Sequence, residues 1–228
     1  RQRQMCIRDR PLLIRFSKDE RNMENIRTSD SPYRFARLTE LINEDLPIDV
    51  SKAASILRNR KGVGEAELGL ANEMAINQFI AHHSVIFQPE KKRMWVSTAP
   101  WQCGKYVAYD LNRIFSDSID FNHEIYTENL TVPADSFLQQ QEYQQLMTYK
   151  RLAPVLRKQI KKKERLDEQT LHAFQHANPH FFYVYELWGD YYHATGQQDK
   201  ALRNWKKALL LPIPKRSESE RIEHKINN

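Results

Sequence analysis

Glycine is scarce, at 6 residues in 228, so backbone-cradled phosphate loops are excluded at the outset: there is no glycine-rich phosphate-binding motif and no Gly-x-Ser-x-Gly elbow. Cysteine is scarcer, at 2. One of the two, Cys6, sits in an opening decapeptide set apart below, which leaves Cys103 unable to build a disulfide or a cysteine-based zinc site. Apolar runs are short, and none approaches the roughly 18–20 residues of a membrane span. The N-terminus also lacks a charged-then-apolar leader with a small-residue cleavage site.

The formal net charge of +6 invites a nucleic-acid reading that the distribution of charge does not support. Residues 1–10 (RQRQMCIRDR) have no apolar periodicity and resemble translated sequencing-adapter read-through, with a basic nucleic-acid-binding arm as the alternative. Setting them aside as a non-native segment removes four Arg and one Asp, so half of the excess charge leaves with them. The remaining balance gives no reason to expect nucleic acid as a partner.

What is present is an ordinary globular balance, 40% hydrophobic and 28% charged, rich in Tyr and Phe at 10 each. Residues 11–30 read as polar and irregular. Ser31 then serves as a cap with Pro32 first in a helix over 32–44, whose stripe is Phe35, Leu38, Leu41 and Ile42. Asp49 caps a second helix with Ala53, Ile56 and Leu57 buried and Gly62 and Gly64 beyond its end. The character changes at Ala75: runs over 78–87 and 93–99, a hairpin-length turn over 88–92, and a third run over 106–111 predict an antiparallel meander.

After Pro133 the pattern is helical. Pro154 should kink or interrupt its helix, and the charge run over 157–165 reads as a solvated face. Trp188, Gly189, Tyr192, Gly196, Ala201, Trp205, Ala208 and Pro212 lie close to tetratricopeptide spacing, with the small residues letting two antiparallel helices approach closely. A lone repeat cannot bury its own face, so this pair should pack on neighbouring elements.

No complete active site is legible. His82 and His83, read as strand neighbours, face opposite sides and cannot share a metal, so histidines bonded to tyrosine or backbone are expected. Cys103 beside Gly104 could be a nucleophile with one of them as base, against the plainer reading of a small buried residue at a strand edge.

Two regions resemble a known family. Ser31-x-x-Arg34-Phe35-x-Arg37 is similar to the helix start of the choloylglycine hydrolase and penicillin acyltransferase group, N-terminal-nucleophile (Ntn) hydrolases. Residues 69–77 running into 81–87, with 94–98 and 104–111, resemble its later sheet. The likeness is strongest to acyl-coenzyme A:6-aminopenicillanic acid acyltransferase-like bacterial hydrolases, some with a tetratricopeptide-like tail. It implies an α+β chain: residues 11–132 as the C-terminal part of an αββα Ntn sandwich, and 133–228 as a helical region with one tetratricopeptide-like pair at about 181–214.

The implied chemistry is cleavage or transfer at linear amide bonds by an N-terminal cysteine whose own α-amine is the base. That cysteine, its early partners and the oxyanion-hole asparagine are expected ahead of this chain. Arg34 is the one position carried over, beside the missing nucleophile, where a guanidinium could favour the thiolate or hold a carboxylate; a helix-start ion pair is the alternative. The resemblance calls for an acyl-amide or peptide-like substrate, no cofactor and no metal. It leaves export and a cytoplasmic location both open, along with oligomeric state. A tetratricopeptide-type interaction module without chemistry is the competing reading. Sheet edges left without partners predict poor solubility.

Overall fold

The computed structural model describes residues 19–44, 46–116 and 122–228; the opening decapeptide and residues 11–18 of the sequence reading lie outside them. Asp19 accepts a hydrogen bond from the Asn22 backbone N–H and starts helix α1, Glu20–Thr28. Glu20 in its first turn and Arg27 in its last complement the helix dipole. The expectation of irregular chain up to residue 30 is therefore corrected. None of these helical residues is buried, and a helix held by its cap and charges leaves no apolar stripe to read.

Helix α2, Ser31–Glu44, takes Ser31 as its first residue rather than as its cap. Its buried residues are Arg37 and Leu41, while Phe35, expected on the stripe, is exposed. Three acceptors converging on Arg37 explain the inversion, as described below. Helix α3, Val50–Leu57, is capped by Asp49, which accepts from Lys52 N at 2.7 Å. It buries the expected Ile56 together with Ala54 rather than Ala53, and Leu57 is half-buried.

Three antiparallel strands follow in the order β1-β2-β3: β1 Val85–Gln88, β2 Arg93–Ser97 and β3 Tyr106–Asp110. A 3₁₀ turn at Pro89–Lys91, ended by Lys92 in the left-handed region, closes the hairpin. Residues 78–84 do not join β1. Asn77 Oδ1 accepts from Phe79 N at 3.1 Å, and Phe79 takes φ of +54°. That turn delivers the Phe79 ring to the helical core, 5.4 Å from Phe137 and 6.0 Å from Trp101. Tertiary burial of one aromatic outweighs the β propensity of the run.

The two faces of the sheet differ in kind. Trp95, Ser97, Tyr106 and Ala108 point one way and are buried, packed with Ala54 of α3 and with Val132. Trp95 also donates its indole N–H to Leu130 O at 2.8 Å. On the other face lie Val85, Phe87, Met94, Val96, Val107 and Tyr109, paired across the strands as Val85↔Val96↔Val107 and Phe87↔Met94↔Tyr109. None of these six is buried, and Phe87 is exposed. An alternating strand normally puts polar residues on an open face. This one is apolar throughout.

After the short α4, Leu111–Ile114, the described chain up to Gln140 is loop with 3₁₀ turns at Glu128–Leu130 and Ser136–Gln139, so the regular helices begin later than Pro133: α5 Gln141–Lys162, α6 Glu168–Ala177, α7 Phe182–Ala194, α8 Gln198–Leu209 and α9 Arg216–Asn227. Helix α5 runs through Pro154, so the expected interruption is corrected. The proline faces solvent, while Leu152, Ala153 and Leu156 anchor both sides of it in the core. Arg157, Lys158 and Lys161 through Arg165 are exposed, the solvated face read from sequence. Helix α7 buries Phe182, Val184, Tyr185, Leu187, Trp188 and Tyr191 and packs on α5 and α8. Gly189 lets α8 approach: a Cβ there would lie 2.2 Å from the Trp205 ring, and Ala201 and Ala208 are fully buried on the facing seam.

Helix α7 also buries a carboxylate. Glu186, 2% exposed, accepts two bonds of 2.8 Å from Arg221 and one of 2.7 Å from Lys225, both on α9. Lys225 reaches Asp190 as well, at 2.8 Å. Burial alone would push the Glu186 carboxyl up, but the hydrogen bonds and charges of Arg221 and Lys225 outweigh it and hold the pKa below its usual value.

Gly189→Ala is expected to cost about 1–3 kcal/mol by overpacking against Trp205, read as a lowered Tm at unchanged helical signal. Removing both cations, Arg221→Met with Lys225→Met, strands a buried charge and should cost about 3–5 kcal/mol, whereas Glu186→Gln costs less because the freed cations reach water. With its folded pKa depressed, Glu186 contributes stability above its unfolded pKa of about 4.3, lost as pH falls through the folded value. Acid unfolding curves of Glu186→Gln should therefore be flatter in that window than those of the unaltered chain.

Candidate functional site

Arg34 lies in the first turn of α2. Its Nη1 pairs with the carboxylate of Asp30, a buried residue, and donates to Glu73 O at 2.7 Å; Nη2 donates to Ser31 Oγ at 3.3 Å. The Glu73 carboxylate in turn holds Lys215, in the link between α8 and α9. The Glu73 hydrogen bond keeps the Lys215 ammonium above its ordinary pKa. Arg34 thus fixes the entry of α2 to the 71–74 turn, and that turn to the helical half. Its side chain remains 29% exposed while Asp30, Glu73 and Ser31 hold its guanidinium in place.

One turn on, Arg37 is wholly buried. It donates to Glu40 at 2.7 Å and to Asn59 Oδ1 at 3.3 Å, and it pairs with Glu65. Desolvation pulls its pKa down, but bonds to Glu40 and Glu65 more than compensate and raise it. Bonding to Arg37 likewise draws the Glu40 carboxyl down.

The stretch over 69–77 forms turns rather than strand. Asn72 and Asn77 are fully buried within it and satisfy backbone groups. Asn72 Nδ2 donates to Leu68 O at 2.9 Å and Pro212 O at 3.0 Å, while its Oδ1 accepts from Met74 N. Asn77 Nδ2 lies 3.3 Å from Cys103 Sγ. Cys103 is fully buried, and burial pushes its thiol pKa up, against the lowering expected of a nucleophile. Among the described residues its side-chain partner is Asn77, and neither His82 nor His83 bonds to it. His82 and His83 are exposed and precede β1, which corrects their placement on a strand. Among the described residues no group of three or more His, Cys, Asp or Glu could hold a metal ion, and no helix is long and apolar enough to cross a membrane.

Two cations escaped the sequence reading. Arg58 donates to Gly104 O at 2.6 Å, Pro133 O at 2.8 Å and Gln102 O at 3.3 Å, with its guanidinium over the Tyr106 ring. Lys150 Nζ sits 4.4 Å from the Trp101 ring centroid and donates to Phe79 O, and burial lowers its pKa. Both lie far in sequence from the carbonyls they bind, so no local motif marks them.

Arg34→Gln leaves the Asp30 carboxylate buried without its cation and should destabilise the fold by about 2–3 kcal/mol in urea unfolding, with the denaturant slope unchanged. Compared with known proteins, the chain matches no family model, no curated protein and no solved structure.

Proposed function

We propose that this chain is the C-terminal portion of an N-terminal-nucleophile amide hydrolase or acyltransferase acting on linear amide bonds. The observation that carries this reading is the sheet: one face closed by α3, the other an unbroken apolar surface from Val85 to Tyr109. A helix layer, a sheet and an apolar second face are what half of an αββα order would present, in which a further sheet packs about 10 Å away. Arg34 supports the same reading. Held rigidly by Asp30 and the Glu73 carbonyl yet partly open, it is able to stabilise a thiolate or pin a substrate carboxylate. In this scheme nucleophile and base share one residue upstream, so the buried, protonated Cys103 has no part in the chemistry. The α7–α8 pair, closed at Gly189 against Trp205, fits the expected tetratricopeptide-like unit of the tail.

That seam also favours the second reading, an interaction module without chemistry. Reading frame upstream separates the two: a Cys behind a cleavable small residue supports the enzyme, further 34-residue repeats support the module. Joined to such a cysteine-bearing segment, the chain is expected to show thiol-dependent amidase turnover. Arg34→Lys should lower that turnover about tenfold, for the loss of roughly one charge-assisted hydrogen bond. Alone the chain should show none, and turnover abolished by Cys103→Ser would overturn the assignment. Phe87→Lys with Val96→Lys should reduce self-association of the isolated chain without lowering its Tm; a fall in Tm would mean that the face is already packed.

A further inference from the structure

Residues 150–165 hold eight Lys or Arg and one Glu, a net of +7 against +6 for the whole chain, so the basic excess is concentrated there. Helix α5 carries most of these cations, beside an open groove of about 520 Å³ that it shares with α7. Arg157, Lys158 and Lys161 form the α5 rim, and Ile160, Tyr183 and Leu187 are recessed apolar walls, none of them exposed. Among the described residues none of the three rim cations pairs with a carboxylate; Glu164 pairs with Lys162, outside the groove, at 3.6 Å. Asp190, the one acid on the groove wall, is already held by Lys225 at 2.8 Å and by the Trp205 indole at 3.0 Å.

The helix dipole accounts for cations in the last turn, Lys161 and Lys162, but not for Arg157 and Lys158 before it. Arg157 with Lys161, and Lys158 with Lys162, are like-charge pairs four residues apart, a spacing that weakens a helix. An anion from outside the chain relieves that repulsion. We infer that the α5–α7 groove docks an acidic, amphipathic peptide segment. Its carboxylates meet Arg157, Lys158 and Lys161, and its apolar side chains enter between Ile160, Tyr183 and Leu187. The apolar walls favour this occupant over other polyanions. Nucleic acid binds through phosphates and stacked bases, and the groove offers a single ring, Tyr183. A membrane surface takes up apolar side chains that project, whereas these walls are recessed. The inference uses neither Arg34 nor Cys103 and is independent of the amidase reading.

The probe is a fluorescein-labelled twelve-residue peptide of repeating Glu-Glu-Leu, titrated with the full chain at low salt and followed by fluorescence anisotropy. Saturable binding is expected, with a dissociation constant on the order of 10 μM. Arg157→Gln with Lys161→Gln should weaken it about tenfold at unchanged Tm, since both side chains are exposed. Lys162→Gln with Lys163→Gln removes the same charge outside the groove and should change affinity by about twofold at most. Replacing every Leu of the peptide by Ser should also cost about tenfold. The two peptides are compared on the unaltered chain, so that arm stands whatever the substitutions do to the fold. Absence of saturable binding, equal losses from the two charge pairs, or a serine peptide as tight as the leucine one would overturn the proposal. So would a twelve-nucleotide oligothymidylate, or vesicles of phosphatidylserine, bound as tightly as the peptide.

Discussion

The structure depends first on the burial of helix α7. A helix apolar on nearly every side must be surrounded, and α5, α6 and α8 pack around it while α9 ties onto its one charged edge. Each large side chain closed off in this way contributes about 1.5–3 kcal/mol relative to exposure, so α7, with six of the core's buried apolar residues, supplies a larger share than any other single helix. Glu186 sets the price of that burial: a carboxylate in the apolar centre persists because Arg221 and Lys225 saturate it. Tight packing and electrostatic pairing thereby fix the same helix from two directions.

The sheet-bearing half is held to this centre by backbone polar groups as well as by the Phe79 and Trp101 rings. Asn178 accepts from Leu70 N at 2.9 Å and donates to Leu70 O at 2.6 Å, a reciprocal pair that locks the turn before α7 onto the 69–71 segment. Gly69, at φ +79°, allows the approach, since a Cβ would meet the Phe181 backbone at 2.6 Å. Asn72 to Pro212 and Lys150 to Phe79 add further ties. Arg34 belongs to this system through Glu73, so the residue assigned a chemical role also helps set the position of α2. Pre-organisation of a charged group by buried partners is what a catalytic support requires, and it is equally what a structural tie requires.

Much of the fold was legible before any coordinates. Asp49 begins its helix as capping chemistry dictates, and both strands of the hairpin meet at the expected turn. The Gly189 and Ala201 spacing correctly announced a close helix pair. Where the reading failed, a distant partner had overridden a local preference. Phe79 left its strand to reach Phe137, 58 positions onward. Arg37 took the buried face from Phe35 because Glu65 and Asn59 came to it, and Pro154 stayed in its helix because residues on either side were anchored.

Sequence by itself determined the α+β character, the order of strands before the helical run, and the residues able to cap or to pack closely. These follow from periodicity and local hydrogen bonding, which act within a few residues. Only the tertiary structure decided that Cys103 is buried beside Asn77, that Arg34 is clamped by Asp30 and Glu73, and that one side of the sheet is apolar with none of its six residues fully buried. Each of those outcomes rests on contacts between chain segments far apart, and no spacing rule encodes which segments will meet.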